Sequence, residues 1–361
     1  MQRSFRIGNK VVSDDGPSYV IAEVGHNHQG DLEKCKAIFK AAADAGADAV
    51  KIQKRDNKTL FTREMYDSTY NSENAYAPTY GAHREFLEFN RAQYVELNAY
   101  AQSLGLLFFS TAFDEASADF LASIDMPAYK IASGDLNNTP LLKKVARFGK
   151  PMIISTGGAT MNEARRAYDA IMPLNKNLCI MQCTSGYPAP YEELNLRVIE
   201  TFRREFPDVI IGFSSHDSGI SMPVVAYMLG SRVFEKHFTL NRTWKGSDQA
   251  FSLEPAGLRR VVRDLERARG ALGDGVKRPY ESETGPLNKM VKRIVAARHL
   301  RAGTVLAADD LAFRIPASSK IAPDALQPCD VDSLIGKVLK QDIAPEELVT
   351  YKAVGAGRQV A

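Results

Sequence analysis

Cysteine is scarce in this chain, with four residues in 361, and no two of them form a CxxC pair. That excludes the spacing of a zinc knuckle or a thioredoxin-type redox motif, and it excludes a disulfide framework. Cys35, Cys179, Cys183 and Cys329 read instead as buried small hydrophobes rather than metal ligands. An excess of one charge is also missing. The formal net charge is +3, too slight for a nucleic-acid partner, so any electropositive region has to be local. No uninterrupted apolar run reaches membrane-spanning length, which argues against a membrane partner. The opening MQRSFRIGNKVVSDDGPS lacks the apolar centre of a signal peptide. These absences lead to the expectation of a reduced, cytoplasmic protein of ordinary globular composition, 25% charged and 45% hydrophobic.

What is present is a repeat. Eight short apolar runs each end in polar residues: 19–25 (YVIAEVG), 47–53 (ADAVKIQ), 106–112 (LLFFSTA), 128–134 (AYKIASG), 152–157 (MIISTG), 178–184 (LCIMQCT), 209–216 (VIIGFSSH) and 232–239 (RVFEKHFT). Strands buried on both faces read this way, and helix-length segments separate the runs. Eight βα units with polar residues at every strand tip predict a closed (β/α)8 TIM barrel, whose active face lies at the C-terminal ends of the strands. One loop breaks the rhythm: Lys54 to Phe89 is long and rich in Tyr, Asn, Thr and Ser, and an insertion on that face reads as functional. The expected domains are a catalytic barrel over 1–273, a Gly/Pro-punctuated linker over 274–292, and a small, mostly β module over 293–361.

The strand tips carry the candidate chemistry. His216 and His237 end neighbouring strands and could share a divalent metal, or each could be a hydrogen-bonded structural histidine. Glu23, on the first strand, suits a metal–water contact or general acid/base work. Glu235 faces the same side as His237. Lys51 and Lys130 lie in apolar strands, where an unpaired ammonium is costly, so each needs an anionic partner from the protein or from a ligand. Nearby Thr111, Ser133, Ser155, Thr156, Ser214 and Ser215, with the glycines of STGG, make a plausible phosphate and carboxylate pocket. A Schiff-base aldolase lysine is the competing use. Asp248, in the loop after the last strand, could meet a metal or a sugar hydroxyl.

The ordered stretches IAEVGHNHQGD, ADAVKIQK, YKIASGDLNN, ISTGGAT, QCTSGYP, IGFSSHDSG, EKHFTL and WKGSD resemble the sialic acid synthase family, which condenses phosphoenolpyruvate with an amino sugar. The C-terminal segment resembles that family's antifreeze-like (SAF) domain. The resemblance implies that His216 and His237 hold manganese or magnesium, and that Glu23 handles proton traffic. It further implies that Lys51, Thr111, Lys130, Ser133, Ser155 and Ser214 bind phosphoenolpyruvate, while Gln53, Asp135, Tyr187 and Asp248 meet the sugar. A domain-swapped homodimer is implied as well, with Arg314 as the substrate-reaching arginine of the accessory domain.

Three departures bear on the acceptor. SGDLNN has Asp135 where many bacterial members have Glu; with TYGAHREFLEF and TWKGSD it is similar to the animal enzymes acting on a 6-phosphorylated sugar. Gln249 follows Asp248 where sialic acid enzymes commonly have His, a legionaminic-type feature. Arg314 lies in FRIP, one position away from the family's usual arginine. The main expectation is a synthase acting on an N-acetylmannosamine-type sugar. The alternatives are the same chemistry on a 6-phosphorylated or 2,4-diacetamido sugar and, more distantly, an aldolase using Lys130 or a sugar-binding protein.

Overall fold

The computed structural model describes residues 3–317 and 324–355, so two stretches of the expected C-terminal module, 318–323 and 356–361, lie outside the described residues. The chain divides into two compact units, Met1–Gly273 and Asp274–Ala361.

The first unit opens with an antiparallel hairpin, β1 (Ser4–Ile7) and β2 (Lys10–Ser13). Eight parallel strands follow: β3 (Tyr19–Gly25), β4 (Ala49–Lys54), β5 (Leu107–Ala112), β6 (Tyr129–Ile131), β7 (Met152–Ser155), β8 (Leu178–Cys183), β9 (Ile210–Ser215) and β10 (Val233–His237). They close in the order β10-β3-β4-β5-β6-β7-β8-β9, so each expected run occupies its own place in a closed barrel. The outer helices are α1 (Leu32–Ala45), α5 (Arg91–Ser103), α6 (Glu115–Ser123), α7 (Thr139–Arg147), α8 (Met161–Ile171), α9 (Val198–Glu205), α10 (Met222–Met228) and α11 (Pro255–Leu272). Local chemistry fixes their ends. The Asp31 side chain accepts from Lys34 N at the start of α1, and Gly46, with φ +89°, closes it by donating to the Ala42 and Ala43 carbonyls. Capping boxes Asn90/Gln93 and Thr160/Glu163 start α5 and α8.

The insertion between β4 and α5 is folded. It contains the short helices α2 (Asn57–Leu60), α3 (Arg63–Asp67) and α4 (Tyr80–Phe86). Tyr70, Tyr76, Tyr80, His83 and Phe86 stack on one another within it. Gly81 is required there: a Cβ would fall 2.4 Å from the Tyr66 ring. Two bonds tie the insertion to the loop after β10, from Tyr76 Oη to the Lys245 carbonyl (2.7 Å) and from Gly246 N to Asn74 Oδ1 (2.9 Å).

Sequence reading did not anticipate the hairpin. Phe5, Ile7 and Val12 are fully buried in the barrel's core. Arg6 N donates to Asn177 Oδ1, just before β8, and Arg232, just before β10, donates to the Asp14 carbonyl. The hairpin therefore covers the barrel end opposite the polar strand tips. Strands of four residues give too little alternation to stand out in a polar segment.

In the second unit, the stretch expected as a linker holds a turn of 3-10 helix, Glu281–Glu283, and α12 (Thr284–Met290). Pro286 reads as a breaker in sequence, but it sits in the first helical turn, where a missing N–H breaks no helical hydrogen bond. The rest is β11 (Arg293–Ala296) paired antiparallel with β12 (Leu311–Arg314), further isolated bridges, and a core that includes Ile294, Leu306, Leu339 and Val349. Cys329 is exposed, unlike the other three cysteines, because it lies in a short 3-10 turn (Pro328–Ser333) with no buried residue.

Candidate active site

Parallel registration brings the polar tips together in tiers. Glu23 on β3 lies beside Lys51 on β4 and His237 on β10. Gln53 is level with Thr111, Thr111 with Lys130, and Glu235 with Ser214. Together they line a cavity of about 350 Å³ at the C-terminal mouth of the barrel. Gly25, with φ +53°, lets the chain turn there; a Cβ would lie 3.2–3.4 Å from Asp248 Oδ2, Gln53 Nε2 and Glu23 Oε1.

The floor is a buried charge network. Lys51 Nζ is 2.5 Å from Glu23 Oε2, donates to Thr111 Oγ1 at 2.8 Å, and lies 3.8 Å from Glu235 Oε1. Lys130 donates to Ser155 Oγ (2.6 Å) and to the Ile131 carbonyl (3.0 Å). Ser133 Oγ accepts from Gly157 N, fixing the start of the STGG turn. Burial pushes the Glu23 carboxyl above its ordinary range even though Lys51 opposes it. Burial would raise Glu235 as well, but Lys51, Lys130, His237 and His216 outweigh it and hold that group below its ordinary value. One carboxylate is thus poised to carry a proton and the other to stay ionised, a separation that fits one acid/base group beside one fixed charge.

The two imidazoles stand side by side, ring centroids 5.4 Å apart. His216 Nδ1 is 2.7 Å from the Thr184 carbonyl, so it carries the proton and leaves the Nε2 lone pair free. Burial works against further protonation of His216, but the neighbouring Cys183 outweighs it and raises the imidazole. His237 is held neutral, its pKa lowered to about 4 by burial. Its Nδ1 is buried without a hydrogen-bond partner and lies 3.7 Å from Asp248 Oδ2. Two imidazoles, one of them with an orphaned nitrogen, beside a carboxylate fit a divalent ion. Among the described residues no group of three or more His, Cys, Asp or Glu converges to make a complete protein shell, so such an ion would keep positions for water or substrate.

The rim carries cations that sequence reasoning missed. Arg55, just beyond β4, and Arg84, on α4 of the insertion, both line the cavity and converge on His26. Arg55 Nη1 lies 3.2 Å from His26 Nε2, and Arg84 Nη1 lies 3.3 Å from His26 Nδ1. Arg55 also stacks on Phe113, its Cζ 3.6 Å from the ring centroid, and donates to Gln53 Oε1. Burial and the neighbouring Arg84 lower Arg55 to about 10.

Of the residues expected in the site, Glu23, Lys51, Gln53, Thr111, Lys130, Ser133, Ser155, Tyr187, Ser214, His216, His237 and Asp248 all line this cavity. Asp135 does not. The chain leaves β6 at Ile131 and enters a 3-10 turn, Ser133–Asp135, that turns the carboxylate toward Asn138 Nδ2 at 3.4 Å. Arg314 belongs to the second unit, on β12, where it lies 3.5 Å from Glu346. Gln249 is buried away from the cavity: its Oε1 accepts from Thr239 Oγ1 and its Nε2 donates to the Asn27 carbonyl. It secures one loop against another rather than facing the cavity.

A barrel with lysines, hydroxyls, paired imidazoles and buried carboxylates at its mouth has the groups of an enzyme class that handles anionic substrates. The description "NeuB family" matches residues 38–277 and "SAF domain" matches residues 291–354. The chain is 40% identical over 343 residues to the N-acetylneuraminate-9-phosphate synthase of Homo sapiens, covering 94% of each. It is 34% identical to the N,N'-diacetyllegionaminic acid synthase of Legionella pneumophila, covering 94% of this chain and 95% of that one. The solved N-acetylneuraminic acid synthetase of Leptospira borgpetersenii serovar Hardjo-bovis superposes with a TM-score of 0.69 at 32% identity, over 80% of this chain and 96% of that one. The chain belongs to the NeuB family, a phosphoenolpyruvate-dependent, carbon–carbon bond-forming synthase with a C-terminal SAF domain. The aldolase and binding-protein alternatives fall with that assignment. No helix among the described residues is long and apolar enough to cross a membrane.

Proposed function

We propose that this enzyme condenses phosphoenolpyruvate with an open-chain N-acetylmannosamine-type sugar carrying a 6-phosphate, giving a nonulosonate 9-phosphate and inorganic phosphate. The observation that carries this choice is the end-to-end similarity to N-acetylneuraminate-9-phosphate synthases, 39% identity to that of Mus musculus and 40% to that of Homo sapiens over 94% of this chain. The motifs TYGAHREFLEF and TWKGSD support it. The feature that pointed to a 2,4-diacetamido acceptor, Gln249, loses its force because its side chain faces away from the cavity.

In this reading Lys51, Lys130, Thr111, Ser133, Ser155 and Ser214 hold the phosphate and carboxylate of phosphoenolpyruvate, donors already in place before charge develops. The enol carbon attacks the sugar aldehyde. Water then adds at the oxocarbenium-like C2, and phosphate leaves with C–O cleavage. Glu23 holds and moves the proton at the reacting centre, its position set by Lys51 and Gln53. Tyr187 and Asp248 orient the sugar. His216 and His237 would hold manganese or magnesium, which supplies Lewis acidity toward the aldehyde oxygen. A homodimer with exchanged SAF domains, Arg314 included, belongs to the same proposal, and light scattering at micromolar concentration tests it.

Phosphate release from phosphoenolpyruvate, with the product mass, should be measured for N-acetylmannosamine, its 6-phosphate and a 2,4-diacetamido sugar. The 6-phosphate should have the highest kcat/KM. Preference for either neutral sugar would overturn the acceptor assignment.

A further inference from the structure

Two arginine side chains at the cavity rim, Arg55 buried and Arg84 half-buried, lack the partners that such cations ordinarily have. A neutral imidazole offers one lone pair and one N–H, so His26 can accept from only one of the two guanidinium groups that flank it. Burial and the two arginines beside it hold His26 well below its ordinary value, so it stays neutral and adds no charge. The second contact sets donor against donor. Arg84 Nε is buried with no hydrogen-bond partner. Among the described residues neither arginine is in an ion pair; Glu88, whose charge favours the Arg55 guanidinium from a distance, is paired with Lys54 at 2.7 Å. Arg84 is otherwise held by Tyr80 Oη (2.8 Å), and Arg55 by Gln53 and the Phe113 ring. Two positive charges and surplus N–H donors thus face the cavity with no carboxylate of the described residues in ion-pair contact; Asp248, which also lines it, acts on Arg55 only at longer range.

We infer that Arg55 and Arg84, set on either side of His26, form a second anion subsite in the active cavity, which binds the terminal phosphomonoester of the acceptor sugar and selects for it. The inference rests on the acceptor reading above and adds the residues that enforce it. Guanidinium pairs suit a phosphate because they offer parallel N–H donors to its oxygens. The position suits it too. Lys51 and Arg55 are four residues apart, roughly 13 Å along an extended strand. An open six-carbon chain ending in a phosphate ester spans roughly 9 Å, seven bonds at about 1.25 Å of advance each along the extended zigzag. The remainder is left for the carbons of phosphoenolpyruvate, whose own phosphate and carboxylate occupy the lysine floor. The sugar phosphate then reaches the rim while its aldehyde reaches the reacting centre.

The test compares N-acetylmannosamine with its 6-phosphate in the full-length enzyme and in Arg55→Gln, Arg84→Gln and Arg84→Lys. The selectivity, kcat/KM for the phosphorylated sugar over the neutral one, should fall at least about 30-fold in each glutamine variant, mainly through KM for the phosphorylated sugar. Arg84→Lys should recover much of that loss, and KM for phosphoenolpyruvate should move by less than about twofold. A merely structural role would lower both acceptors together and leave the ratio unchanged, which overturns the subsite. Wild-type enzyme that prefers the neutral sugar overturns the acceptor reading and the subsite with it. Wild-type enzyme that prefers the phosphorylated sugar, with glutamine variants that keep the preference, overturns the subsite alone.

Discussion

The floor and the rim of the cavity are both cationic, and they are built on opposite principles. On the floor, Lys51 and Lys130 come from strands and are met by carboxylates and hydroxyls within hydrogen-bonding distance. On the rim, Arg55 and Arg84 come from a strand end and an inserted helix and crowd a neutral histidine. Buried charge is tolerable when paired, so the floor is integral to the fold. The rim's charge is incompletely met by the protein and is completed by ligand. One cavity can thus separate a subsite that must be rigid for chemistry from one that can vary with the acceptor.

The largest expected effect lies on the floor side. His237→Ala should reduce kcat at least about a thousandfold, and chelator treatment of the wild type should do the same, with recovery on adding manganese or magnesium. Full turnover by the metal-free enzyme would remove the proposed role of the imidazole pair. Lys51→Met leaves Glu23 and Glu235 facing each other without their shared cation, and should cost about 3–5 kcal/mol in denaturant unfolding. Arg84→Gln should cost less than about 1 kcal/mol in the same assay, because it relieves the crowding of two like charges. Equal losses in the two variants would erase the distinction between floor and rim. Gly25→Ala forces a side chain into the left-handed region and against the Glu23–Gln53 pair, and should cost about 1–2 kcal/mol. It should also lower kcat, since the same glycine sets Glu23. A control lies away from both subsites: Thr160→Ala removes the α8 cap and should cost about 1 kcal/mol with acceptor selectivity unchanged.

The same contrast explains what was legible in the sequence. Glu23, Lys51, Lys130, Ser214 and His237 sit on strands, where an apolar run of alternating faces marks both the strand and the direction of its polar members. Parallel registration then brings them together by rule, so barrel and floor can be read together. His26, Arg55 and Arg84 sit in loops or in an insertion, where no periodicity states which side chains turn back over the mouth. The only signals were the unusual length of the segment between Lys54 and Phe89 and its charged, aromatic composition. Asp135 shows the same limit from the other side. Its motif suggested a sugar contact, but a single 3-10 turn after β6 carries its carboxylate out of the cavity lining. The N-terminal hairpin escaped notice because its buried residues are few and its strands short.

A crystal structure of the enzyme with the 6-phosphorylated acceptor and a non-reacting analogue of phosphoenolpyruvate tests the two-subsite arrangement most directly. Two separate phosphate densities should appear, one bonded to Lys51 and Lys130 and the other bridging Arg55 and Arg84. An acceptor phosphate that points into solvent, with the two guanidinium groups still crowded against His26, would contradict it.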